Sequence, residues 1–84
     1  MKLVFAEQAW GDDLHWHATD PKMIKPIHLL IMEVSRNPFE GVGKPEPLRH
    51  ALCGYWSRRI NDEQRMVYKV EGNCLLMAQL RYHY

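Results

Sequence analysis

The sequence predicts an α+β fold, with two N-terminal helices packed on one face of a small, mainly antiparallel sheet. Three observations carry this prediction. An apolar stripe at helical spacing runs through Met23, Ile24, Ile27, Leu30, Ile31 and Val34. From residue 48 onward the pattern changes to period two, interrupted by short polar or glycine-containing turns. The 84 residues are 46% hydrophobic, with three Trp, four Tyr and two Phe, which is enough for one compact core. A chain of this size buries roughly 60–65% of its unfolded surface, so a single domain over residues 1–84 with modest stability is expected.

Lys2 to Phe5 reads as a short strand. Residues 7–18 follow as a helix, with Trp10, Leu14 and His17 at i, i+4 and i+7 forming its inner face and Asp12, Asp13 and His15 elsewhere. Gly11 and the poor cap Ala6 weaken it. Thr19-Asp20-Pro21 restarts the chain, with Asp20 suited to cap and Pro21 to the first helical position. The second helix carries the apolar stripe, and Pro26 within it is expected to kink or loosen its first turn. Asn37-Pro38 ends it. Residues 37–47 form a loop dense in Gly and Pro, in which Pro45 and Pro47 stiffen the backbone around Glu46. Residues 48–52 are expected as a short strand, 55–60 as a second, 65–71 as a third and 74–82 as the last, with turns between them.

Composition excludes several classes. No apolar run is long enough to span a bilayer. An acid at Glu7 comes too early for a signal peptide. Cys53 and Cys74 lack metal spacing and are expected as free thiols of a cytoplasmic protein. Residues 1–43 hold four Lys/Arg against six Asp/Glu, whereas residues 44–84 hold seven against four, so the second half suits an anionic partner.

Alternation assigns faces. Trp56 and Ile60 look inward, sending Tyr55, Ser57 and Arg59 outward and leaving Arg58 awkwardly on the apolar side. Met66, Tyr68 and Val70 are core, with Arg65, Val67 and Lys69 outward. Leu76, Ala78, Leu80 and Tyr82 are core, with Met77, Gln79, Arg81 and His83 outward. Three strands thus aim Arg59, Arg65, Arg81 and His83 at one side. That is either a solvated charged face or a basic platform for a phosphate backbone. An acid, a cation and a histidine around one phosphate suit RNA cleavage: Glu46 as base toward the ribose 2′-OH, Arg65 as stabiliser of the charge on the phosphoryl oxygens, and His83 as acid toward the leaving oxygen. This chemistry needs no metal or other cofactor. His15 and His17, two apart, do not share a helix face, and no metal site is assigned to them.

Four stretches together carry a resemblance that runs end to end: Asn37-Pro38-Phe39-Glu40-Gly41 leading to Gly43-Lys44-Pro45-Glu46-Pro47-Leu48; Gly54-Tyr55-Trp56-Ser57-Arg58-Arg59-Ile60; Arg65-Met66-Val67-Tyr68; and Arg81-Tyr82-His83-Tyr84. The chain resembles the YoeB family of bacterial toxin–antitoxin modules, within the RelE-like superfamily. The resemblance implies a microbial-ribonuclease-like fold and a ribosome-dependent endoribonuclease that cuts mRNA in the A site and inhibits translation. It implies Glu46 as base, Arg65 as stabiliser, His83 as acid and a contribution from Tyr84. It makes Arg59 a contact to the scissile region, and Lys44, Arg49 and Arg81 join it as candidate RNA contacts. Arg49 stands where the family has lysine, which keeps the charge but changes the geometry. A YefM-like antitoxin and a second copy of the chain are the implied partners. The competing function is a ParE-like toxin that binds DNA gyrase and has no use for the Glu46, Arg65, His83 set.

Overall fold

The computed structural model describes residues 1–82; His83 and Tyr84 lie outside the described residues. Strand β1 (Lys2–Phe5) leads into helix α1 (Glu7–Thr19), a 3₁₀ turn (Pro21–Met23) and helix α2 (Ile24–Arg36). The rest is β2 (Glu46–Pro47), a 3₁₀ turn (His50–Leu52), β3 (Trp56–Arg59), β4 (Arg65–Glu71) and β5 (Cys74–Gln79). The five strands form one sheet in the order β1-β5-β4-β3-β2, antiparallel except for the parallel pair β1 and β5. The core joins Ala9, Trp16, Ile27, Leu30, Ile31 and Val34 of the helices to Met66, Tyr68, Leu75, Met77 and Leu80. The expected α+β layering is therefore present.

Helix α2 follows its stripe: Ile27, Leu30, Ile31 and Val34 are buried. Pro26 falls at the third residue of the α-helix, where its missing N–H is one of those that lack an intrahelical acceptor anyway. A 3₁₀ turn over Pro21–Met23 precedes the helix, which runs as α-helix through Pro26.

Helix α1 differs from its sequence reading. Trp10 and Leu14 are about half exposed, and the buried positions are Ala9, Asp12, Asp13 and Trp16. Polar contacts decide this orientation. Asp12 Oδ2 accepts the Leu80 N–H at 2.9 Å, and Trp16 Nε1–H donates to the Leu80 carbonyl at 2.9 Å. Both backbone groups of Leu80 are thereby satisfied from one helix face, a buried polar arrangement that periodicity of apolar residues does not register.

Strand β5 also departs from simple alternation. Leu75 and Met77 face the helices, opposite Val70 and Tyr68, so Leu76 and Ala78 are not the core positions. A bulge then leaves Ala78 unopposed, since Tyr68 pairs with Met77 and Val67 with Gln79. The extra residue resets the parity: Gln79 lies opposite Val67 and Leu80 is buried, as alternation had assigned them. The strand stops at Gln79. Tyr82 is half exposed with φ 70° and is not a core anchor.

The strand expected at residues 48–52 is absent. Pairing starts earlier, with Glu46 opposite Ser57 and Pro47 opposite Trp56. Pro47 is tolerated because β2 is an edge strand. Glu46 therefore belongs to the sheet rather than to a loop.

Arg58 is the awkward residue resolved. Fully buried on the helix side, it donates from Nε to the Tyr68 hydroxyl at 3.2 Å, from Nη1 to the Val42 carbonyl at 3.2 Å, and from Nη2 to the carbonyls of Asn37 and Glu40, the latter at 2.6 Å. Tyr68 in turn donates to the Pro38 carbonyl at 2.6 Å. Burial pushes the Tyr68 phenol above its ordinary pKa, with Arg58 acting in the opposite sense. Phe39 packs on Trp56, ring centroids 4.8 Å apart. Residues 37–42 are thus drawn down onto the sheet edge by a buried guanidinium.

Candidate active site

On the sheet face away from the helices, Lys44, Glu46, Ser57, Arg59 and Arg65 line a hollow of about 110 Å³. Its construction follows from register. Glu46 on β2 lies opposite Ser57 on β3, and Arg59 on β3 lies opposite Arg65 on β4. Residues 57 and 59 share one face, so the carboxylate, the hydroxyl and two guanidiniums converge. Ser57, 1% exposed, forms the floor. Val67, beside Ser57 on the same face, is also buried, so this face is only partly open to solvent.

Lys44 enters from the loop. The Arg59 N–H donates to the Gly43 carbonyl at 2.7 Å, holding the loop against β3. Gly43 has φ 84°, and a Cβ there would stand 2.9 Å from the Arg59 carbonyl oxygen, so only glycine permits this approach. Lys44 itself takes a left-handed backbone at φ 51°.

The electrostatics favour an anion. Three cationic side chains face one carboxylate in the hollow. Like charges directly opposite on neighbouring strands destabilise a sheet, and Arg59 and Arg65 are such a pair. An anion between them would relieve that repulsion. The Arg65 guanidinium is braced by the carbonyls of Asn61 and Gln64, 3.0 and 3.2 Å from Nη1.

The other sequence-selected residues are placed differently. Arg49 lines a neighbouring hollow of about 340 Å³ that shares Glu46. Arg81 does not line the Lys44–Arg65 hollow; its guanidinium lies 4.2 Å from the centre of the Tyr82 ring. His83 and Tyr84 are outside the described residues. Tyr82, the residue before them, is tied to this region: its carbonyl accepts the Arg65 N–H at 3.1 Å, and its N–H donates to Gln64 Oε1 at 2.6 Å.

The sequence reading did not single out Ser57, Asp12, Trp16 and Arg58 as parts of the site's framework. Outward parity placed Ser57 on the correct face, and the misfit of Arg58 was itself a signal.

Residues 5–84 match the family model described as the YoeB-like toxin of bacterial type II toxin–antitoxin system. The chain belongs to this family. Toxin YoeB of Escherichia coli K12 is 54% identical over 84 residues, covering 100% of both chains. Among solved structures, the YoeB/ParE toxin from Agrobacterium tumefaciens superposes with a TM-score of 0.95 at 48% identity, covering 100% of both. Staphylococcus aureus YoeB was solved as a dimer, TM-score 0.90, and in a heterotetrameric YoeB–YefM complex, TM-score 0.88. Each is 44% identical to this chain and covers 100% of it and 98% of the relative. The RelE-like fold expected from the sequence is the fold of these YoeB-like toxins.

Proposed function

We propose that this YoeB-like toxin is a ribosome-dependent mRNA endoribonuclease that cleaves by attack of a ribose 2′-OH on the adjacent phosphorus. The observation that supports this reading is the hollow in which Glu46 meets Lys44, Arg59 and Arg65. Glu46 removes the 2′-OH proton. The oxygen attacks phosphorus, the bond to the 5′-oxygen breaks, and His83 protonates that leaving oxygen. The products are a 2′,3′-cyclic phosphate and a 5′-hydroxyl. Arg65, held by two carbonyls, stabilises the charge that develops on the phosphoryl oxygens. Arg59 and Lys44 add positive charge and orient the phosphate, Arg49 and Arg81 contact the flanking backbone, and Tyr84 contributes to activity. Each acid–base role contributes roughly 10²–10⁴ in rate. No metal enters these steps.

Action on translating ribosomes makes the toxin cytoplasmic. Its partners in this reading are A-site mRNA, a YefM-like antitoxin and a second copy of the chain. A hollow of about 610 Å³, lined in part by Leu29, Leu30, Val42 and Arg59, adjoins the site. Leu29 and Val42 are more than half exposed and offer apolar surface to an antitoxin segment.

Primer extension on mRNA from cells expressing the toxin tests the reading. New 5′ ends at ribosome-occupied codons are expected with the wild type and absent with Glu46→Ala or His83→Ala, while both variants still bind antitoxin. Growth arrest without such ends would overturn it, as a gyrase-directed toxin would produce.

A further inference from the structure

On the helix side of the sheet, away from the hollow, Asp13, His17 and His28 form a second cluster. Asp13 and His17 are one turn apart on α1, and His28 reaches across from α2. Asp13 Oδ1 lies 2.7 Å from His28 Nε2, and Oδ2 lies 3.4 Å from His17 Nε2. One donor atom from each residue falls within 4.8 Å of the other two. The carboxylate is buried, with a side-chain exposure of 8%, whereas the imidazoles are 53% and 48% exposed.

We propose that Asp13, His17 and His28 bind a divalent transition cation of the Zn²⁺ class, which staples α1 to α2. The donor set is two imidazoles and one carboxylate, the borderline ligands that such ions select. A tetrahedral ion with bonds of about 2.0–2.1 Å needs donor atoms about 3.3–3.4 Å apart. The Oδ2–His17 separation already meets that value, whereas His28 now faces the other oxygen, Oδ1, so rotation of the exposed imidazoles has to close the remaining donor–donor gaps, all within 4.8 Å, around one oxygen. Both imidazoles already turn Nε2, a potential ligand atom, toward the Asp13 carboxylate. The open side, where both rings meet solvent, leaves room for water as the fourth ligand. The buried carboxylate fixes the charge at the base of the site. Because the ligands come from two helices, the ion binds the folded chain and not the unfolded one, and so it stabilises the fold. The cluster plays no part in the proposed RNA chemistry, and the ion's role is structural.

The test uses the untagged full-length chain, freed of metal with a chelator. Zn²⁺ is titrated calorimetrically, Co²⁺ is followed by the visible bands of a four-coordinate complex, and thermal unfolding is recorded with and without Zn²⁺. The expected result is one Zn²⁺ per chain, a four-coordinate Co²⁺ spectrum, and a higher Tm with Zn²⁺. His17→Gln and His28→Gln should each weaken Zn²⁺ binding about tenfold or more and shrink the Tm gain on adding Zn²⁺, each variant being compared with itself in chelator because His28→Gln also alters the 2.7 Å contact to Asp13. A wild-type chain that takes up no Zn²⁺ overturns the proposal and leaves only Asp–His ion pairs. Undiminished affinity in the His17→Gln/His28→Gln double variant also overturns it, because the ion then sits elsewhere.

Discussion

Replacing Arg58 with methionine should separate the loop from the sheet it is tied to. Methionine fills a similar volume but cannot donate. The substitution removes the donors to Tyr68, Val42, Asn37 and Glu40 together. A hydrogen bond to a charged group contributes about 1.5–3 kcal/mol net, so a simple sum over four is large. Two effects reduce it: the buried guanidinium no longer has to be desolvated, and the loop carbonyls lie near enough to the surface to rehydrate. A net loss of about 2–4 kcal/mol is therefore expected. For a domain of this size that lowers Tm by roughly 10–30 °C. Urea unfolding measures the loss, and amide exchange locates it. The Arg59 N–H, bonded to the Gly43 carbonyl, reports loop docking directly. Its protection should fall further than that of β5 amides, and mRNA cleavage should fall further than the folded fraction explains, because Lys44 and Glu46 follow the loop. A Tm drop below about 3 °C with unchanged protection at Arg59 would refute the idea that Arg58 anchors the loop.

Three further outcomes follow from the same contacts. Asp12→Ala leaves the buried Leu80 N–H without its acceptor and should cost about 1–3 kcal/mol in urea unfolding; Asp12→Asn, which keeps an acceptor oxygen, should recover much of that. Gly43→Ala forces a Cβ against the Arg59 carbonyl at a positive φ, so it should cost about 1–3 kcal/mol and lower cleavage, with wild-type values in both measurements as the contradicting result. Tyr68 has its pKa raised by burial, so the native state holds the phenolic proton more tightly than the unfolded chain does. Stability from this source is intact below pH about 10 and declines as pH rises through the raised value. Tyr68→Phe should remove that decline in an alkaline unfolding series, after allowance for its loss at neutral pH.

Much of this fold was legible because apolar periodicity dominates where burial is purely hydrophobic. Helix α2 and strand β4 follow their patterns for that reason. Helix α1 did not, because its inner face is fixed by Asp12, Asp13 and Trp16 through specific hydrogen bonds, while Trp10 and Leu14 face out. A strict period of two cannot foresee the bulge at Ala78, which shifts one half of β5 relative to the other. The position of Glu46 in an edge strand was hidden by the flanking prolines, which read as loop. The convergence of Lys44, Glu46, Arg59 and Arg65 was accessible from motif and parity together. Asp13 and His17 were close enough in sequence to pair, but their meeting with His28 depends on how α1 packs against α2, which no local pattern encodes.

In the proposed mechanism the 2′-OH of the substrate is the nucleophile that Glu46 activates. Programmed ribosomes stalled with a defined A-site codon allow one nucleotide of the mRNA to carry a 2′-deoxyribose at the scissile position. The all-ribose mRNA should be cleaved to a 2′,3′-cyclic phosphate and a 5′-hydroxyl, with no cleavage at the 2′-deoxy position. Continued cutting at that position would contradict this mechanism, since the attacking oxygen would then have to come from elsewhere.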